Sequence, residues 1–347
     1  MKKTVTTLAD GRELIYYDAR EDTVRDAVDP RPLTRVVSRS EIRYDELTGD
    51  PVTVASHRQD RTYLPPADAC PLCPSRDGRE SEIPEKGYEV AVFENRFPSL
   101  SGGVGRCEVV CFTDDHTDSF ADLTEERAAL VLDAWTDRTA ALSVLPGVEQ
   151  VYCFENRGAE IGVTLPHAHG QIYAFPYVTP RTAATRRRID AHREATGRNL
   201  FDDVVAREKG DGERMVLETD HWIAFVPYAA RWPYEVHLHP KRRVPDLLAL
   251  DGGARTECPQ VLLELLRRFD RIFGPDAPPT PYIAAWHQAP FTDGRREDFG
   301  LHLELFTVRR APDKLKFLAG TESGMGAFMN DVRPEDAARR LREVASA

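Results

Sequence analysis

Apolar residues in this 347-residue chain fall into short runs of two periods, and the same order of runs occurs twice. Cys107-Glu108-Val109-Val110-Cys111-Phe112 is rich in strand formers and reads as a β-strand. A turn follows, then Leu130, Val131, Ala134, Trp135 and Leu142 at helical spacing. Either Asp122 or Thr124 is placed to cap that helix. Two more strands come next, Gln150 to Phe154 and Leu165 to Phe175. Further along, Tyr234-Glu235-Val236-His237-Leu238-His239 reads as a strand again. Val261, Leu262, Leu265, Leu266, Phe269 and Phe273 line one face of a helix that stops at Gly274. Tyr282 to Trp286 and Leu301 to Val308 complete the second series as strands. A last helical segment, Asp331 to Ala345, has Pro334 in its first turn, where a missing N–H costs little.

The two series are offset by 127 residues at Cys107 and Tyr234 and by 135 at His167 and His302. Internal duplication is the simplest account. It predicts an α+β fold of two tandem halves, each an antiparallel sheet with helices packed on it. In this alignment His167 matches His302, and His169 matches Glu304. His237 and His239 match Val110 and Phe112 and read as strand side chains. Residues 1–35 are polar and weakly patterned and read as an N-terminal arm. The first half then covers 36–205 and the second 206–347.

Composition narrows the chemistry. A net charge of -11 argues against non-specific nucleic-acid binding, so a phosphate ligand must be met by a local basic site. No apolar run approaches the roughly 18 residues of a membrane span. The start, Met1-Lys2-Lys3-Thr4, lacks the apolar core of a secretory signal, and a cytoplasmic protein is expected. Six cysteines in a chain of this length fit free thiols in a reducing compartment. Of these, Cys107, Cys111 and Cys153 fall in strand patterns and read as buried apolar thiols.

Leu165-Pro166-His167-Ala168-His169-Gly170-Gln171 carries the most chemical information. Two imidazoles two residues apart on a strand share a face, roughly 6.5 Å apart along the chain. One can bind a metal while the other stays free as nucleophile or base. Cys70-Pro71-Leu72-Cys73 is a CxxC in a proline-rich stretch and so lies on a loop. It can be half a zinc site, a redox pair or a chance pair. A redox CxxC usually opens a helix, which Pro74 and the polar run after it do not suggest. His167 and His116, in Thr113-Asp114-Asp115-His116, are the available partners for zinc. A set of Cys70, Cys73, His116 and His167 would be a closed structural site that anchors the segment presenting His169.

Together, His-x-His-Gly-Gln, the upstream CxxC, the Phe154-Glu155-Asn156-Arg157-Gly158 run and the paired halves resemble the galactose-1-phosphate uridylyltransferase branch of the histidine-triad superfamily. The resemblance runs from about Arg43 to the C-terminus. It implies a homodimer that moves a uridylyl group between UDP-glucose and galactose 1-phosphate by double displacement, with His169 as nucleophile. It implies zinc on Cys70, Cys73, His116 and His167. Asn156, Thr164 and Gln171 match phosphate donors, and Arg58 and Arg61 match a basic pair that reaches phosphate. Asn95 and Phe97 match a uridine pocket, and Lys316, Phe317 and Glu322 match a segment that contacts the hexose. Departures are visible. Ala168 stands where proline is common, and Pro71 where an aromatic is common. A second divalent-metal site found in some members is matched by His287 and His302. Its third histidine is Glu304 here, and its glutamate falls near Thr185.

Several features read as decoys. Gly102, Gly103 and Gly105 are followed by no lysine and hydroxyl, so they form no P-loop. Arg186, Arg187 and Arg188 read as a solvated face. The rival functions are three. A sugar-nucleotide or dinucleoside-polyphosphate phosphorylase would use the same histidine with phosphate as acceptor. A histidine-triad hydrolase would use water, but the position two residues after His169 holds Gln171 where that triad has a third histidine. A zinc-stabilised nucleotide-binding module would show no turnover.

Overall fold

The computed structural model describes residues 1–35, 39–60 and 65–346. It divides into two compact units. The first comprises Met1–Cys153, Thr164–Ala184 and Pro290–Gly294, and the second Phe154–Val163, Thr185–Ala289 and Arg295–Ala347.

The first unit holds strands β1 (Lys2–Thr7), β2 (Glu13–Asp18), β3 (Glu41–Tyr44), β4 (Pro51–Val54), β5 (Val90–Glu94) and β6 (Arg106–Cys111). Helix α1 (Glu125–Ser143), β7 (Gln150–Arg157) and β8 (His169–Phe175) follow, β7 passing from the first unit into the second. Its sheet runs β1-β2-β5-β6-β8-β7, with β3 and β4 as a separate hairpin. Thr124 caps α1, its side chain accepting from the Arg127 N–H. Leu130, Val131, Ala134, Trp135 and Leu142 are buried as their spacing predicts, and α1 packs on β5 and β8. Arg138 on α1 reaches down to Glu108 on β6, making two bonds of 2.8 Å between fully buried groups.

Along the rest of the chain come α2 (Pro180–Thr196), α3 (Leu200–Asp211), β9 (Met215–Glu218), β10 (Trp222–Phe225) and β11 (Val236–Pro240). They are followed by α4 (Gly252–Arg271), β12 (Tyr282–His287) and β13 (His302–Phe306). The chain closes with β14 (Arg309–Ala311), β15 (Lys314–Leu315), α5 (Gly320–Met325) and α6 (Pro334–Glu343). The sheet of the second unit runs β12-β13-β11-β10-β9. Asp251 caps α4 through the Ala254 N–H at 2.9 Å, and α4 packs on β10.

The α+β expectation holds, with β1-β2-β5-β6-β8 paired antiparallel in the first unit and β12-β13-β11-β10-β9 paired antiparallel in the second. The repeat is visible in the strand order. Four strands run β5-β6-β8-β7 in one unit and β10-β11-β13-β12 in the other, each set with a helix after its second strand.

Three sequence expectations change. Residues 1–35 do not stand apart as an arm, because β1 and β2 extend the first sheet through β5. Arg12 and Arg31 from that segment bond the buried Glu82. The compact division also does not fall at 205/206 but follows the crossings of the chain at 153, 163 and 184. Last, the repeat alignment shifts by one residue on the second strand. Cys111 pairs with His169, and His237 pairs with Glu304. With His169 matched to Glu304, His237 therefore matches Cys111, not Val110. A one-residue slip exchanges the faces of a strand, so His237 shares a face with Glu304.

Candidate functional site

Strand β8 sets up the site by its alternation. Gly170, Ile172 and Ala174 are buried, whereas His169, Gln171 and Tyr173 are half-buried on the opposite face. The strand begins only at His169, and a bend at His167 precedes it. The two imidazoles therefore enter different surroundings rather than lying side by side. His167 is completely buried, and His169 borders a cavity.

His167 joins a cluster. The ligating atoms of Cys70, Cys73, His116 and His167 all lie within 4.8 Å of one another. Cys73 Sγ is 3.3 Å from His116 Nδ1 and 3.4 Å from His167 Nδ1. A tetrahedral zinc with bonds of about 2.3 Å to sulfur and 2.0 Å to nitrogen requires roughly 3.6 Å between such ligands. The donor set fits. The other nitrogen of His167 donates to the Thr113 carbonyl oxygen at 2.7 Å and lies 2.9 Å from the Tyr88 hydroxyl. The Tyr88 hydroxyl itself donates to the Leu72 carbonyl at 2.9 Å. Such contacts fix the ring and leave Nδ1 as the ligating atom. Burial lowers His167 to about 4, so the ring is neutral.

His169 has its own constraint. Its Nδ1 lies 2.7 Å from the His167 carbonyl oxygen, which can only accept, so Nδ1 carries the proton. Nε2 is left with its lone pair. Burial lowers the His169 pKa, against the pull of that carbonyl.

The cavity beside His169 is lined by Arg58, Asn95, Phe97, Thr164 and Gln171 among others, all within the first unit. Arg58 donates to Ser99 Oγ, and its buried Nε has no partner among the described residues. Asn95 Oδ1 accepts from the Phe97 N–H at 2.9 Å, which fixes the turn that presents the Phe97 ring. Pro71, Leu72, Glu82 and Arg96 also line this cavity, and sequence reasoning did not single out the last three. Arg96 sits over the Phe97 ring, 5.8 Å from its centroid, and 3.6 Å from Glu82. No motif surrounds Glu82, so only its burial reveals it.

The remaining expected residues lie elsewhere or outside view. Arg61 lies outside the described residues. Asn156 is on β7, in the portion belonging to the second unit. It is followed by Gly158 at φ 105°, where a Cβ would come 2.6 Å from Pro281 Cβ, so only glycine fits there. Lys316 and Glu322 form a buried ion pair of 2.9 Å with each other in the second unit, and Phe317 beside them is exposed. His287, His302 and Glu304 do come together, with ligating atoms within 4.8 Å. His287 Nε2 is 3.4 Å and His302 Nε2 3.5 Å from the Glu304 carboxylate. Burial, partly opposed by Glu304, lowers His302 to about 4.

No helix among the described residues is long and apolar enough to cross a membrane.

Comparison with known proteins agrees with this architecture. Residues 101–179 match the family model for the N-terminal domain of galactose-1-phosphate uridyl transferase, and 185–347 match that for its C-terminal domain. The chain is 63% identical to galactose-1-phosphate uridylyltransferase of Streptomyces lividans, over 99% of this chain and 98% of that one. It is 37% identical to the Thermotoga maritima protein of the same name, over 88% of this chain and 98% of the other. A solved uridylyltransferase superposes with a TM-score of 0.78 at 31% identity, covering 87% of this chain and 98% of its own. An ADP-glucose phosphorylase from Arabidopsis thaliana shares the fold, with a TM-score of 0.68 at 22% identity, over 88% and 98%. These likenesses set the chain among the uridylyltransferases, a class of nucleotidyltransferase enzyme. It belongs to the galactose-1-phosphate uridylyltransferase family.

Proposed function

We propose that this chain transfers a uridylyl group from UDP-glucose to galactose 1-phosphate through a covalent intermediate on His169. The observation that carries this reading is the Nδ1 contact to the His167 carbonyl, which leaves Nε2 unprotonated beside a cavity. Nε2 attacks the α-phosphorus of UDP-glucose. An N–P bond forms, the P–O bond breaks and glucose 1-phosphate leaves. A phosphate oxygen of galactose 1-phosphate then attacks the same phosphorus, the N–P bond breaks, and UDP-galactose leaves. A neutral imidazole suits both steps, being nucleophilic and, once phosphorylated, a good leaving group.

Charge in the transfer falls on non-bridging oxygens. Arg58, Thr164 and Gln171 are the donors that would meet it, with Asn156 expected to join them. Arg58 brings a buried Nε with no partner among the described residues. Asn95 and Phe97 would hold the base. Lys316, Phe317 and Glu322 are read as hexose contacts, and a homodimer belongs to the same reading. Arg61 is expected to reach phosphate with Arg58.

Cys70, Cys73, His116 and His167 would hold zinc. That ion would contribute folding free energy and fix the carbonyl on which His169 leans. His287, His302 and Glu304 would hold a second divalent ion.

Product analysis tests the function. The protein is incubated with UDP-glucose and galactose 1-phosphate, and in parallel with ADP-glucose and phosphate. UDP-galactose and glucose 1-phosphate in the first tube alone are expected. Turnover confined to the second tube would replace the reading with a phosphorylase.

A further inference from the structure

The second unit carries a polar cluster that the reaction does not use. On the sheet face bearing Glu304, His237 lies directly opposite it across the β11–β13 pair. His237 Nε2 is 2.9 Å from Glu235 Oε1 and 3.7 Å from Glu304 Oε1. The ligating atoms of Glu235, His237 and Glu304 lie within 4.8 Å of one another. Both carboxylates are buried, at 2% and 3% exposure.

Local construction holds this geometry. Glu235 Oε2 accepts from the Arg231 and Trp232 N–H groups at 2.6 and 3.1 Å, which turns Oε1 toward His237. Tyr234, immediately before it, has φ 51° and is the one non-glycine residue with positive φ among the described residues. A bulky side chain in that region costs on the order of 1–3 kcal/mol, and such strain concentrates at sites under functional constraint. Nearby, His239 stacks on His302 with centroids 5.0 Å apart, and its buried Nε2 has no hydrogen-bond partner among the described residues.

We propose that Glu235, His237 and Glu304 bind a divalent first-row transition ion of their own, with the Glu304 carboxylate bridging it to the ion held by His287 and His302. Nitrogen and oxygen ligands at about 2.1 Å, at angles of 90–120°, lie roughly 3.0–3.6 Å apart. The separations around His237 Nε2, 2.9 Å to Glu235 and 3.7 Å to Glu304, lie just outside that range at either end, so a shift of about 0.1 Å in each would seat an ion. Imidazole with two carboxylates suits manganese, iron or zinc. His302 is set up for its share of the pair. Its Nδ1 donates to the Gly300 carbonyl at 2.8 Å, leaving Nε2 as ligand. The inference needs Glu304 as a shared ligand and stands apart from the identity of the transferred nucleotide.

The test uses the full-length, zinc-loaded protein titrated with manganese(II), with free ion followed by electron paramagnetic resonance. Wild type is expected to bind two manganese ions per chain and to show a spin-coupled spectrum at saturation. His237→Gln and Glu235→Gln should each lose one equivalent and the coupling. His287→Gln should lose the other equivalent, and Glu304→Gln should weaken both at least tenfold. Glu235→Gln keeps an oxygen for the Arg231 and Trp232 N–H groups, so its fold is expected to survive. Should either variant fail to fold, the wild-type spectrum decides by itself. A single uncoupled ion removed by His287→Gln alone would overturn the proposal and leave the second-metal reading standing. Binding of no manganese would overturn both.

Discussion

His169 Nδ1 donates to the backbone carbonyl of His167, two residues back, at 2.7 Å. The second residue of that pair is buried among the cysteines, and the first faces the cavity. One backbone bond thus connects the Cys70, Cys73, His116 and His167 cluster, a candidate metal site, to the imidazole proposed as nucleophile.

That division of labour predicts opposite consequences for the two histidines. His169→Ala removes the nucleophile from a half-buried position on the cavity wall together with one hydrogen bond to the His167 carbonyl, so transfer is expected to vanish while stability falls by only about 1 kcal/mol. Denaturant melts alongside the transfer assay check both halves of the statement.

Replacing a cluster residue acts on the fold. Cys70→Ser or His167→Ala should lose bound zinc, measured by elemental analysis, and lower stability by several kcal/mol, since binding free energy is folding free energy there. Zinc content unchanged in both variants would remove this cluster from the account.

Tyr88 supports the cluster from outside. Tyr88→Phe deletes a hydroxyl that bonds the Leu72 carbonyl and contacts His167 Nε2. Loss of about 1–2 kcal/mol in stability and about tenfold in zinc affinity are expected. Competition with a chromophoric chelator reads the affinity directly.

The buried Arg138–Glu108 pair ties α1 to β6. Arg138→Met removes the two-point partner of the buried Glu108 carboxylate and leaves it Arg106 Nε at 3.0 Å, so a loss of about 2–3 kcal/mol by urea unfolding is expected. Arg138→Met with Glu108→Leu should recover part of that loss, because the buried carboxylate is gone and Arg106, which also bonds Glu108, keeps Glu13 at 3.3 Å.

Glu155 sets a pH dependence. It is buried on β7 and accepts from the Tyr282 hydroxyl at 3.0 Å, and burial pushes its pKa up to about 8. The folded state therefore holds this proton more tightly than the unfolded chain. The stability it contributes is full below the ordinary carboxylate range and is lost as pH rises toward 8, at up to about 1.4 kcal/mol per pH unit. Glu155→Gln should flatten the stability profile between about pH 4.5 and 8. Melts across that window provide the comparison.

Much of this was legible in the chain because the relevant signals are local. Period-2 and helical spacing marked β6, α1, β7, β8, β11, α4, β12, β13 and α6, and the ligand atoms of Cys70, Cys73, His116 and His167 do lie within 4.8 Å of one another. Arg58, Asn95, Phe97, Thr164 and Gln171 do line the cavity beside His169. What escaped depends on register and on distant partners. Within residues 1–35, Lys2–Thr7 and Glu13–Asp18 become sheet strands because Leu14, Ile15, Tyr16 and Tyr17 are buried and β2 pairs with β5, some seventy-five residues on; Arg12 and Arg31 also bond Glu82. Neither Tyr88 nor Glu82 belongs to a motif, and each matters through burial against a partner remote in sequence. His237 read as an ordinary strand residue because an alignment of repeats by sequence tolerates a one-residue slip, whereas strand pairing does not.

The most direct test of the central claim is the intact mass of the protein after brief mixing with UDP-glucose, with His169→Ala as control. One uridylyl adduct is expected on wild type, none on the variant, and galactose 1-phosphate should discharge it. An equal adduct on His169→Ala would contradict the assignment of the nucleophile.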